Sequence, residues 1–292
     1  MTVATGSTNA SNGTDAEARP VFATEPRILG LPASAWPRIL APVVIGLVTL
    51  AAWEFAVRWN GIPPYILPGP LLIGQTLVAD WGTLSGSLWI TLRITFLALV
   101  AAVAIGVTLA VLFTQSKWLE MSLLPYAVIL QVTPIVAIAP LIIIWAGDVN
   151  LALLICAWIV AFFPILSNTI LGLNSADHNL VNLFELYGAS RWQTMRHLKL
   201  PAALPYFLAG LKISGGLALI GAVVAEFVAG TGGSASGLAY RILEAGYQLK
   251  IPRVFAALLM ISLSGIAIFL ATSWVSHMLL RRWHESALKR EN

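Results

Sequence analysis

Long apolar runs alternate with short polar, proline-rich or glycine-rich stretches along most of the chain. The runs cover residues 39–57, 89–113, 119–145, 151–172, 205–228 and 254–280. Each is long enough to cross a hydrocarbon layer about 30 Å thick, so the pattern predicts an all-α polytopic membrane protein with six transmembrane helices. Between the first two runs, Ile62-Pro63-Pro64-Tyr65 and Leu67-Pro68-Gly69-Pro70 exclude a regular span. That region reads as an outer loop followed by a short surface helix over 71–81. Gly147-Asp148-Val149-Asn150 reads as a tight turn, residues 230–237 as a flexible glycine-rich connection, and 238–248 as an amphipathic piece.

The third run is interrupted by Pro125, Pro134 and Pro140 and carries Gln131 and Thr133 near its middle. Irregular backbone at membrane depth is tolerated where protein or a water-filled cavity surrounds it. Gln131, Thr133 and Pro134 are therefore expected to line a translocation path, the alternative being a kinked structural helix. Glu226 joins them as a candidate, because an ionisable side chain within a span normally faces a cavity or a partner; alternatively it sits at headgroup level in water. Lys212 lies where it can snorkel, and Asn168 and Ser214 suit hydrogen bonds between helices.

Composition agrees with the pattern. Of 292 residues 58% are hydrophobic and 10% charged, too few polar groups to cover a soluble surface. The net charge of +4 does not point to nucleic acid, because the basic residues sit where apolar runs end. Arg38, the group Arg191, Arg196 and Lys199, and the group Arg281, Arg282, Lys289 and Arg290 place both termini and the 173–204 loop on the cytoplasmic side. Arg241, Lys250 and Arg253 are a partial exception. Residues 1–36, poor in apolar runs, read as a disordered cytoplasmic tail, 37–283 as the transmembrane domain and 284–292 as a second tail. The late first run, without a small-residue cleavage site, is no secretory signal.

Catalytic chemistry finds little support. No Gly-x-x-x-x-Gly-Lys-Ser/Thr phosphate cradle occurs, and no lysine follows the glycines of 230–237. His178, His197, His277 and His284 have no metal-ligand spacing, and the single cysteine, Cys156, lies inside an apolar run. No cofactor, metal or covalent step is expected, and the chain is not expected to be an enzyme.

One polar interruption stands apart, at 182–201. It predicts a short helix up to Tyr187, a break at Gly188, a second short helix opened by Ser190, and a stop at Pro201, with Leu198 and Leu200 turned inward. Gly188-Ala189-Ser190-Arg191 followed by Leu200-Pro201-Ala202-Ala203-Leu204-Pro205 resembles the EAA loop of ATP-binding-cassette (ABC) importer permeases. The resemblance is to the family serving nitrate, sulfonates, taurine, bicarbonate and pyrimidine-type precursors. It continues through Tyr206 to Ala225-Glu226-Phe227 and reappears in Leu67-Pro68-Gly69-Pro70 and Thr133-Pro134. The Glu-Ala-Ala that names the loop is here Asn182-Leu183-Phe184, and Glu185 sits three places too late to replace its glutamate.

The resemblance implies a type I importer permease whose cytoplasmic coupling helix docks on an ATPase. Glu185, Gly188, Ala189, Ser190, Arg191, Arg196 and Pro201 would carry that coupling. It also implies two ATPase subunits, a second permease copy forming a homodimer, a periplasmic or lipid-anchored substrate-binding protein, and a place in the bacterial inner membrane. The expected function is ATP-driven import of a sulfonate, a nitrate- or bicarbonate-like anion, or a pyrimidine or vitamin precursor by alternating access. Two alternatives stand beside it: a secondary carrier or channel driven by an ion gradient, which calls for carboxylate relays that the spans nearly lack, and a non-transporting membrane assembly factor.

Overall fold

A computed structural model describes residues 27–28, 31–32, 35–229 and 236–281, and apart from one two-residue antiparallel pair, Arg27–Ile28 with Leu31–Pro32, its regular structure is helical. Eleven helices are found among the described residues: α1 Ala35–Trp59, α2 Pro70–Ala79, α3 Trp81–Gln115, α4 Lys117–Val132, α5 Ile135–Ala146, α6 Val149–Leu173, α7 His178–Leu186, α8 Arg191–Thr194, α9 Leu200–Ala229, α10 Leu238–Tyr247 and α11 Ile251–Leu280. A π-helical turn, Met195–Lys199, joins α8 to α9. Five of the helical stretches are long and apolar enough to cross a membrane, and the pair α4–α5, bent by 105°, brings the number to six when it is counted as one broken span. The chain divides into two compact units between Phe55 and Ala56. The first holds most of α1, which begins at Ala35; the tails expected over 1–36 and 284–292 and the connection expected over 230–237 fall mostly or wholly outside the described residues.

Three differences from the expected pattern have physical causes. The second crossing begins at Trp81, not Trp89, so the surface helix is shortened to Pro70–Ala79. The polar, glycine-containing stretch Gly82-Thr83-Leu84-Ser85-Gly86-Ser87 lacks a long apolar run, yet Leu84 and Ser87 are buried, and tertiary packing overrides weak propensity. Of the three prolines in the third crossing, Pro125 and Pro140 lie inside helices, and the break falls at Thr133–Pro134, where Pro134 serves as the N-cap of α5. Finally, Pro201 does not stop a helix. It occupies the first turn of α9, and the stretch from Arg191 to Ala229 runs on without a gap. The preceding π turn, in which the Leu200 amide donates to the Met195 carbonyl, shifts the ladder ahead of the proline ring.

Within the second unit both α9 and α3 pack most extensively on α6. Small residues set how closely the backbones approach. A Cβ on Gly172 would stand 2.8 Å from the Ala203 Cα, one on Gly210 2.7 Å from the Pro164 carbonyl oxygen, and one on Gly221 2.9 Å from the Ala157 Cα. The three glycines thus mark an antiparallel α6–α9 seam from one end of the helices to the other. Ser214 fastens its middle by donating to the Ala161 carbonyl at 2.7 Å, as expected for a polar residue between spans. Asn168 instead turns back on its own helix, donating to the Pro164 carbonyl at 2.8 Å. On α3, Leu84, Ser87, Thr91, Thr95, Ala98, Ala102, Gly106, Ala110 and Phe113 recur at spacings of three and four to form the buried face.

A methyl group at Gly210 has to displace backbone, whereas one at Gly216 meets nothing within 4 Å. Gly210→Ala is expected to destabilise the purified protein by about 1–3 kcal/mol and Gly216→Ala to be neutral or slightly stabilising. Thermal unfolding of the two variants in one detergent checks the pair.

Candidate functional site

The polar interruption folds as a two-helix elbow. Asp177 opens α7 by accepting from the Asn179 amide at 2.8 Å. At the other end Tyr187 is the C-cap and Gly188 takes φ +70°, the left-handed conformation in which an L side chain is strained. The Gly188 amide donates to the Glu185 carbonyl and the Ala189 amide to the Phe184 carbonyl, both at 2.9 Å. These two bonds make a Schellman motif that satisfies the last carbonyls of α7. Ser190 then caps α8 in a full capping box: its Oγ accepts from the Gln193 amide at 3.3 Å, and the Gln193 side chain accepts from the Ser190 amide at 2.7 Å. Gly188, Ala189 and Ser190 are therefore one turn closed by reciprocal bonds on both sides.

The elbow is tied to the bundle through Met195, which is buried in the same apolar cluster as Phe113 at the end of α3, Leu173 at the end of α6 and Ala203 in α9. Leu198 and Leu200 are half-buried, consistent with their expected inward turn. Arg191, Arg196 and His197 are exposed, and the Nδ1 of His197 lies 3.0 Å from the Gln193 carbonyl oxygen. Glu185 is exposed on α7 and, with Lys117, Arg191 and Lys199, lines a cleft of about 430 Å³ between the elbow and the start of α4. Pro201 is half-buried just beyond the elbow, inside α9.

Four further residues of the elbow escape the sequence reading. Leu183, Leu186 and Tyr187 lie three and four apart on one face of α7, with Leu186 and Tyr187 each 84% exposed, and Trp192 on α8 is 62% exposed. Apolar and aromatic side chains presented around a rigid turn, with arginines beside them, are the composition of a protein docking surface. The available signal was position: these apolar residues fall in a polar interruption rather than in a span.

The candidate path residues separate into two places. Gln131 is exposed, Thr133 is half-buried and donates to the Ile129 carbonyl at 2.7 Å, and Pro134 is exposed at the bend between α4 and α5. Glu226 is 3% exposed near the far end of α9 and belongs to a different cluster. Its Oε1 accepts from the Thr91 hydroxyl at 2.8 Å and its Oε2 from the Ala239 amide at 3.0 Å. Thr91 Oγ1 in turn accepts from the Leu238 amide at 3.0 Å. Arg241 Nε donates to Ser87 Oγ at 3.0 Å while the same guanidinium pairs with Glu244 at 2.8 Å. Arg253 pairs with Asp80 at 2.6 Å, tying the start of α11 to the α2–α3 corner. The hydroxyls at Ser87, Thr91 and Thr95, one helical turn apart, were the readable sign of this seam. Among the described residues no group of three His, Cys, Asp or Glu side chains could hold a metal.

Comparison with known proteins follows the same lines. The family model described as binding-protein-dependent transport system inner membrane component matches residues 102–285, from the middle of α3 to just past α11. The chain is 34% identical over 276 residues to the riboflavin transport system permease protein RibX of Chloroflexus aurantiacus, covering 91% of this chain and 98% of that one. It is 32% identical over 242 residues to the formylaminopyrimidine transport permease protein ThiX of Halalkalibacterium halodurans, covering 82% and 95%. It is 27% identical over 260 residues to the taurine transport system permease protein TauC of Escherichia coli, covering 85% and 92%. Among solved structures, an amino acid ABC transporter shares the fold with a TM-score of 0.57 at 20% identity, covering 71% of this chain and 97% of that one. The MetNI methionine ABC transporter in an inward-facing conformation does so with 0.57 at 19% identity, covering 66% and 94%. With its apolar crossings, its elbow and a family match over most of its length, this chain belongs to the binding-protein-dependent transport system inner membrane components, the membrane permease subunits of ABC importers.

Proposed function

We propose that two copies of this chain form the translocation unit of an importer in the bacterial inner membrane, driven by two separate ATPase subunits that grip the elbow. The observation that carries the reading is the elbow itself, a turn closed by a Schellman motif and a capping box, rooted by Met195 and presenting Leu186, Tyr187 and Trp192 outward. A protein that only had to reconnect two spans has no use for exposed aromatics on a rigid turn. Arg191 and Arg196 stand beside them as partners for acidic groups on the ATPase, and Glu185 with Arg191 frames the adjoining cleft. Lys and Arg flanking the elbow and the last span support a cytoplasmic elbow and cytoplasmic termini.

ATP hydrolysis belongs to the partner, and the chain contributes the moving walls. The bend at Thr133–Pro134, with exposed Gln131 beside it, supports this part of α4–α5 as wall of the path once two copies face each other. An external substrate-binding protein delivers the cargo. The relatives named for riboflavin and formylaminopyrimidine are the more similar of those described above, which supports a nitrogen heterocycle of vitamin or vitamin-precursor type.

Co-expression with a tagged ATPase subunit tests the reading. The wild-type chain is expected to co-purify and to support ATP-dependent uptake into proteoliposomes loaded with the binding protein. Replacing both Tyr187 and Trp192 by Ala should reduce co-purification at least about tenfold without changing thermal unfolding of the chain alone. Full uptake without any ATPase contradicts the reading. Gly188→Val forces a β-branched side chain into the left-handed region at a cost of about 1–2 kcal/mol. It is expected to raise amide hydrogen exchange over 188–194 and weaken ATPase binding, while exchange in α6 stays unchanged.

A further inference from the structure

The cluster around Glu226 performs a task that the transport reading does not use. Glu226 belongs to α9, Thr91 to α3, and Leu238 and Ala239 to the first turn of α10. The two leading amides of α10, which have no acceptor within their own helix, are thus both taken up by side chains: Leu238 by Thr91 and Ala239 by Glu226. Gly237, the N-cap of α10, offers no side chain for the purpose, and a Cβ there would overlap the Glu226 carboxyl group. The helix start is therefore capped from two other helices, and the capping groups are buried.

The geometry points to Glu226 as a positioning residue that, through Thr91, latches the N-terminus of α10 to the far ends of α3 and α9, by accepting hydrogen bonds rather than by its charge. The transport part of this inference rests on the reading above: latched, α10 travels with α3 and α9 as one leaf of the outer gate. The hydrogen-bond pattern explains why charge is dispensable. Thr91 Oγ1 lies 2.8 Å from Glu226 Oε1 and 3.3 Å from the Ser87 carbonyl oxygen, so its proton has two available acceptors. A glutamine at 226 can accept from the Ala239 amide through its carbonyl and donate to Thr91 through its amide. Thr91 then donates to Ser87 and still accepts from Leu238, so both leading amides of α10 keep their acceptors. An alanine leaves the Ala239 amide buried without an acceptor. The other charged groups of α10 in the region, Arg241 and Glu244, are bonded to each other and to Ser87.

Hydrogen exchange on the full-length chain in membrane-mimetic nanodiscs, with Glu226→Gln, Glu226→Ala and Gly237→Ala, tests the latch. Loss of a buried hydrogen-bond acceptor predicts exchange over 238–241 faster by about tenfold or more in Glu226→Ala and Gly237→Ala, but within about threefold of wild type in Glu226→Gln. Exchange in the α6–α9 seam should stay as in wild type in all three. Equal loosening in Glu226→Gln and Glu226→Ala overturns the proposal, because charge would then be the requirement. So does undiminished protection in Glu226→Ala, and so does loosening that spreads into α6 and α9. In the assembled transporter, Glu226→Ala is expected to go on hydrolysing ATP while uptake of riboflavin or formylaminopyrimidine falls, with uptake retained in Glu226→Gln. A wild-type assembly that moves neither compound counts against the cargo proposed above, and the exchange result still decides the latch.

Discussion

Close contact between the backbones of α6 and α9 is the constraint on which the rest of the structure depends. Lipid tails are as apolar as leucine, so burial alone does not hold two membrane helices together, and close packing with a few interhelical hydrogen bonds has to do so. Gly172, Gly210 and Gly221 remove the side chains that would keep the helices apart, and Ser214 adds a bond at mid-length. The consequence reaches beyond stability. Helix from Arg191 onward continues through α9 to Ala229, about 58 Å at about 1.5 Å per residue for its 39 residues. A displacement at the elbow therefore has a direct mechanical route to the opposite end of the bundle, and α6 follows because it has no room to slide independently.

Both ends of that lever are fixed by polar groups whose partners are all provided. At the elbow, the Schellman turn takes up carbonyls left over where α7 stops, and the capping box takes up the Gln193 and Ser190 amides where α8 starts. Met195 places the π turn against Phe113 and Leu173, so the widest part of the helical ladder is held by packing on two other crossings. At the far end Glu226 and Thr91 provide for α10 what its own sequence lacks. At the α10 start, where the helix end is buried, amides left without such partners would cost several kcal/mol.

The sequence disclosed features governed by local chemistry. Long apolar crossings, the break at Gly188 and the cap at Ser190 follow from composition and rules of near neighbours, and each is legible. Where the outcome depended on distant packing, the reading fell short. The start of α3 is not legible because Gly82, Gly86 and their polar neighbours have poor helix propensity, while Leu84 and Ser87 are buried by the tertiary structure. Proline usually stops a helix, and only the π turn ahead of Pro201 shows why this one continues. Glu226 was visible as an ionisable residue in a span, but its partners at Thr91 and Ala239 lie 135 and 13 positions away, beyond any local rule. Leu186, Tyr187 and Trp192 went unnoticed because apolar residues carry little contrast in so apolar a chain.

The central claim is that this subunit receives its motion at the elbow and passes it along one unbroken helix. Structures of the assembled transporter with and without a bound ATP analogue, superposed on α6 and the outer half of α9, test it most directly. The account predicts α7 and α8 seated in the ATPase in both states, with residues 191–229 keeping their shape while the elbows of the two copies change separation. An elbow that stands free of the ATPase, or a helix that bends at Met195–Lys199 so that α9 stays still while the elbow swings, would contradict it.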